Sequence, residues 1–175
     1  MTERGLELQS THNFTQVDTV LVGCGGAGAW IAMALSKTLR RGDTLTLIDG
    51  DIISKRNLDR QLFKEDSIDR YKADELAKQL VTKAEVKSVH EYFLDGMEIK
   101  EGSTFFVAVD NHPARLAVLN TVDRIGKACF MAANEYRDAE AYFYQGKWKE
   151  GPLDPRVYYP DLLTDKSGDP TSPCT

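Results

Sequence analysis

A glycine-rich turn between a short apolar strand and a helix limits this chain's folds more than any other feature. Residues 18–22 are a compact apolar run. They lead directly into Gly23, Cys24, Gly25, Gly26, Ala27 and Gly28, a G-x-G-x-x-G spacing with one extra glycine. Residues 29–39 hold Ala, Leu and Met with no Pro or Gly, which predicts a helix. Without a Cβ, the turn lets a phosphate approach the backbone. The helix start then offers N–H groups and the positive end of its dipole. The spacing alone is weak evidence, but here its flanks are strand and helix, as a nucleotide site requires.

The rest of the chain keeps the same alternation. Residues 44–48 read as a second strand, ending at Asp49, Gly50 and Asp51. A carboxylate at Asp49 can accept hydrogen bonds from ribose hydroxyls. Residues 54–70 are polar and predict a loop with short helical turns. Residues 72–83 predict an amphipathic helix, and residues 86–93 a third strand. The apolar run 103–109 predicts a buried parallel strand ending at Asp110. A helix is expected over 114–126, with Pro113 tolerated at its start. Residues 127–133 and 139–145 read as two further strands. The fold class is therefore α/β, a Rossmann-like, mainly parallel sheet flanked by helices. The expected organisation is a leader over 1–16, a nucleotide-binding domain over 17–147, and an irregular Pro-rich crossover segment over 148–175.

Composition narrows the function. Net charge is −5, which disfavours a general nucleic-acid binder. No apolar run is long enough to span a bilayer. The three cysteines, Cys24, Cys129 and Cys174, form no Cys-x-x-Cys pair, so a reducing cytoplasm fits better than a disulfide framework. Cys24 and Cys129 read as packing residues.

The glycine turn and Asp49 alone would suit NAD as well as ATP. The polar set that follows favours a triphosphate. Asp51, Arg56, Asn57, Asp59, Arg60, Gln61 and Lys72 follow in close order. Arg offers bidentate contacts to phosphate and Lys a mobile point charge. Asp110 stands at the sheet edge where ligands of such folds bind, and a carboxylate facing a triphosphate makes sense if Mg2+ bridges them.

Taken in order, these motifs resemble the ThiF/MoeB/HesA superfamily, which includes the ubiquitin-activating enzymes. The resemblance covers residues 17–135 and rests on the glycine turn, Asp49 and Asp51, the Arg56–Gln61 string, Lys72, and Asp110 with Asn111 and Arg115. It implies that Gly23, Gly25, Gly26 and Gly28 form the phosphate loop, with Gly26 at the phosphates and Asp49 at the ribose. Asn57 and Arg60 would hold phosphates, with Gln61 beside them, and Asp51 and Asn111 would complete the nucleotide site. Lys72 would neutralise the triphosphate, and Asp110 would carry Mg2+. Arg56 stands where the family usually has Ser.

The implied reaction is ATP-dependent adenylation of the C-terminal carboxylate of a small ubiquitin-like or sulfur-carrier protein ending in Gly-Gly. Cys174, in a Pro-Cys-Thr element like that of the ubiquitin-activating enzymes, would be a thioester-forming nucleophile. A homodimer is the expected assembly, although residues 1–16 lack the R-x-x-R-Q arginine that many members lend to a partner. The sequence stops at Thr175, where members continue through further strands, so an incomplete C-terminal end is expected. An NAD(P)-binding oxidoreductase and a non-catalytic scaffold half are the alternatives.

Overall fold

The computed structural model describes residues 15–125, 127–134 and 139–165. Residues 1–14 of the leader and Cys174 lie outside the described residues. Six strands form one sheet: β1 (Asp18–Val22), β2 (Thr44–Ile48), β3 (Glu85–Val89), β4 (Thr104–Val107), β5 (Ala128–Asn134) and β6 (Ala139–Gln145). Their order is β3-β2-β1-β4-β5-β6. All neighbours are parallel except β5 and β6, which pair as a hairpin. This is the mainly parallel α/β sheet read from the sequence.

The strand residues alternate between two cores. On one face Leu21, Leu45 and Leu47 meet Ala29 and Ala32 of α1 (Gly26–Thr38) and Leu76 of α2 (Lys72–Gln79). On the other, Val20, Ile48, Phe105 and Val107 meet Val118 and Val122 of α3 (His112–Ile125). Small residues on the inner side of α1 let it lie close to β1. The glycine turn is thereby held at the carboxyl edge of the sheet.

Element ends differ from the sequence reading for tertiary reasons. Helix α2 stops at Gln79, because Leu80 is extended and the Thr82 hydroxyl accepts the Ala84 N–H at 3.2 Å. That turn aims the chain into β3 and competes with the helix. Strand β3 ends at Val89, and Phe93 turns into the core instead. Strand β4 is trimmed to Thr104–Val107. Helix α3 begins at His112, two residues before the expected start, because the Asn111 carboxamide oxygen accepts the Ala114 N–H at 2.8 Å. No helix lies between β3 and β4; residues 90–103 cross as turns.

The described part of the tail, expected to be irregular, carries a 3-10 turn (Gly146–Trp148) and two short helices, α4 (Pro155–Tyr158) and α5 (Asp161–Thr164). Arg156 ties it down. Its guanidinium donates to Asp154 at 2.8 Å, to Asp123 of α3 at 2.9 Å and to the Tyr144 hydroxyl at 2.7 Å. Leu162 is buried in the α3-side core. Among the described residues no helix is long and apolar enough to cross a membrane.

Several carboxylates couple this fold to pH. Asp74 is held below its ordinary value, chiefly by the Ser88 hydroxyl and then by His90. Glu75 is lowered chiefly by Lys78 and then by Ser67. For Asp154, burial raises the value, but hydrogen bonds from Arg156 and backbone N–H groups outweigh it and the net direction is down. A lowered native value means stability that is present above the unfolded value and lost as pH falls through the native one. These three outnumber Asp49, which burial raises and which works in the opposite sense, so the urea midpoint is expected to fall between about pH 5 and about pH 3. A midpoint that holds level across that range would contradict these assignments.

Candidate nucleotide site

The glycines of the turn divide into two kinds. Gly23 has φ +93°, and a Cβ there would lie 2.6 Å from the Ala108 carbonyl oxygen. A Cβ on Gly28 would lie 1.9 Å from the Gly23 carbonyl oxygen. Packing of strand, turn and helix explains both. Gly25 and Gly26 have no such reason. A Cβ there would meet only Gln61 Nε2 at 3.6 Å and the Arg60 carbonyl oxygen at 3.5 Å, ordinary contact distances. Gly25 opens α1 with no side-chain cap. The first N–H groups of a helix lack intrahelical partners, so this backbone fits a phosphate at close approach.

Asp49, Arg60 and Gln61 and the end of β4 at Ala108 come up to the turn. Asp49 reaches it directly: Oδ2 accepts the Cys24 N–H at 2.6 Å and Oδ1 accepts the Asp51 N–H at 2.8 Å. Each oxygen has a further lone pair, so a ribose hydroxyl can still be accepted. Burial raises the Asp49 carboxyl above its ordinary value, against the opposing pull of Lys72 and the two N–H groups. Burial likewise pushes the Cys24 thiol well up, and that of Cys129 to about 12. Both are buried and free, as packing residues should be.

Asp51 and Lys72 form a buried pair. Lys72 Nζ lies 2.6 Å from Asp51 Oδ2, with exposures of 2% and 4%. The Tyr92 hydroxyl donates to Asp51 Oδ1 at 2.8 Å. Lys72 therefore already holds a carboxylate, yet it sits close enough to Asp49 and Cys24 to stabilise negative charge at both. Asp51 serves here as the counterion of Lys72.

The loop between them carries Asn57, Arg60 and Gln61. Asn57 is buried, and its Oδ1 accepts the Ser54 N–H at 2.9 Å and the Ser54 hydroxyl at 3.0 Å. It shapes the 3-10 turn Lys55–Asn57. Arg56 and Arg60 are exposed. Gln61 Oε1 is buried without a hydrogen-bond partner. The Gln61 Nε2 end lies by Gly25, and its orphaned oxygen needs a donor, which a ligand hydroxyl could supply.

Behind the turn, Asp110 is exposed at the end of β4. Arg115 Nε and Nη2 both donate to the Val109 carbonyl, at 3.1 and 3.0 Å, and so fix the backbone on which Asp110 stands. Asn111, expected at the nucleotide, uses its oxygen to cap α3. Among the described residues no three His, Cys, Asp or Glu side chains cluster as a metal site. One carboxylate still fits Mg2+, which keeps its waters and takes its other ligands from phosphate. The structure thus brings Asp49, Arg60, Gln61, Lys72 and the β4 end to one turn. Sequence reading missed Tyr92 and His112, whose Nδ1 is also buried without a partner. No local signal marks Tyr92. A cavity of about 350 Å³ beneath residues 97–100 holds none of these residues.

Solved structures with the same fold include E. coli MccB with succinimide, at 20% identity and TM-score 0.64, covering 89% of this chain and 50% of that one. E. coli MccB with SeMet MccA matches at 21% identity and TM-score 0.66, over 89% and 49%. E. coli tRNA N6-threonylcarbamoyladenosine dehydratase, TcdA, in complex with AMP matches at 26% identity and TM-score 0.54, over 62% and 46%. The chain thus spans half or less of the length of each. No curated protein matches it in sequence. Residues 4–149, most of the chain, match the ThiF family, and the chain belongs to that family.

Proposed function

We propose that this chain adenylates the C-terminal carboxylate of a small protein or peptide, using ATP and Mg2+. The observation that carries the reading is the Cβ-free backbone of Gly25 and Gly26, which packing does not require, facing Arg60 and Gln61. The solved relatives support the ligand class: TcdA is described with AMP and with ATP, and MccB with MccA.

In this reading the partner's carboxylate, already ionised at neutral pH, attacks the α-phosphorus. A bond forms from its oxygen to phosphorus, the α–β bridge breaks, and pyrophosphate leaves. No base is needed; the site aligns the reactants and disperses charge. The turn's N–H groups hold phosphate, Asp49 takes the ribose, and Arg60 and Lys72 face the leaving charge. Asp110 would hold Mg2+, which when bound neutralises phosphate oxygens. The partner would be a ubiquitin-like or sulfur-carrier protein ending in Gly-Gly. Homodimer assembly, a cytoplasmic setting and acyl transfer to Cys174 belong to the same proposal, on the family resemblance.

The test is ATP–pyrophosphate exchange with such a carrier. Asp110→Ala is expected to slow exchange by about a hundredfold or more. Exchange at the original rate would remove Asp110 from the chemistry, whereas a scaffold would show no exchange even in the wild type. An oxidoreductase would show no exchange at all.

A further inference from the structure

We infer that Tyr92 is a positioning residue that fixes the ammonium of Lys72 for a bound triphosphate. This rests on the proposed nucleotide-binding role of the site. Tyr92 follows the third strand and is distant in sequence from the turn, Asp51 and Lys72. Its hydroxyl donates to Asp51 Oδ1 at 2.8 Å, while Lys72 Nζ bonds Asp51 Oδ2 at 2.6 Å. The carboxylate is thus gripped at both oxygens, which sets its rotamer and the place where Lys72 ends. The backbone joins the same assembly: the Lys72 N–H donates to the Asp51 carbonyl at 3.0 Å, and the Asp51 N–H to Asp49 Oδ1 at 2.8 Å. Asp49 in turn holds Cys24 of the turn. A line of hydrogen bonds therefore runs from Tyr92 through Asp51 and Asp49 to the glycine turn.

Gly50 gives the second, independent observation. A Cβ there would lie 2.8 Å from Cδ2 and Cε2 of the Tyr92 ring. Glycine at this position leaves room for the ring. A buried ion pair gains little stability by itself, because desolvation offsets its attraction. Holding one cation at a defined place beside the turn is a better account of why the pair is buried and braced. Lys72 is close enough to influence Asp49 and Cys24, so a shift of its ammonium would be felt where phosphate binds.

The test uses the full chain, wild type and Tyr92→Phe, which keeps the ring and removes only the hydroxyl. The first readout is the proton–nitrogen signal of the Lys72 ammonium, without nucleotide. Tyr92→Phe is expected to shift or broaden it. Gly50→Ala, which displaces the ring, is expected to do the same. The second readout is titration with MgATP and with AMP. Tyr92→Phe is expected to weaken MgATP about tenfold and AMP by less than about twofold, because only the triphosphate needs the placed cation. An unmoved Lys72 signal would overturn the inference. So would equal weakening of both nucleotides, the mark of a general structural loss. If the wild type binds neither nucleotide, the function proposed above fails, and the Lys72 signal alone then decides whether Tyr92 positions it.

Discussion

Gly28→Ala is expected to destabilise the protein by about 3 kcal/mol or more and to remove nucleotide binding with it. Two effects oppose each other at this position. Gly28 lies inside α1, where alanine is a better helix former by about 1 kcal/mol. Against that, the new Cβ would stand 1.9 Å from the Gly23 carbonyl oxygen and 2.8 Å from its carbon. Both are backbone atoms and cannot rotate away. The Ala108 Cβ is also in contact, at 3.5 Å. The clash wins, and the turn must open.

Gly26→Ala makes the contrast, because its Cβ meets nothing closer than 3.5 Å. Its melting temperature is expected to stay near that of the wild type while ATP binding is lost, since the methyl occupies the phosphate's space. Thermal denaturation and calorimetric titration of both variants separate the two outcomes. A Gly26→Ala protein that binds ATP as tightly as wild type would take away the main support for a phosphate loop.

Lys72→Met should be the other severe change. It leaves the Asp51 carboxylate, 4% exposed, without its ammonium. Removing one member of a buried pair typically costs about 3–5 kcal/mol. The double variant Asp51→Leu with Lys72→Met should recover much of that loss, because the carboxylate that Lys72 neutralised is removed with it; Asp49 still loses the pull of Lys72, so recovery is partial. The two substitutions are in contact and will not be additive. Activity should stay absent in the double variant, since the cation is gone. Urea unfolding of the four proteins of the cycle, with exchange measured beside it, checks both halves. A double variant as unstable as Lys72→Met, or an active one, would refute this account.

Much of the fold was legible before any tertiary contact was known. Strand β1, the turn and α1 follow from neighbouring residues: an apolar run, glycines at fixed spacing, then good helix formers. The positions of Asp49, Lys72 and Asp110 were legible for the same reason, because each stands at or just past an element end that the alternating pattern locates, while Arg60 lies within a loop and was pointed to by the family resemblance. The cap at Asn111 is also a local signal, readable from its place before α3, although the family resemblance pointed that residue at the nucleotide.

Long-range contact decided the rest. That Asp51 turns inward to Lys72, and that Tyr92 braces it across 41 residues, depends on how β2, α2 and the segment after β3 meet. The stop of α2 at Gln79 and the docking of the tail through Arg156 onto Asp123 are of the same kind. Local sequence sets which backbone shape each segment prefers. A buried charge or hydroxyl takes whichever partner packing brings within reach, and no window along the chain contains that partner.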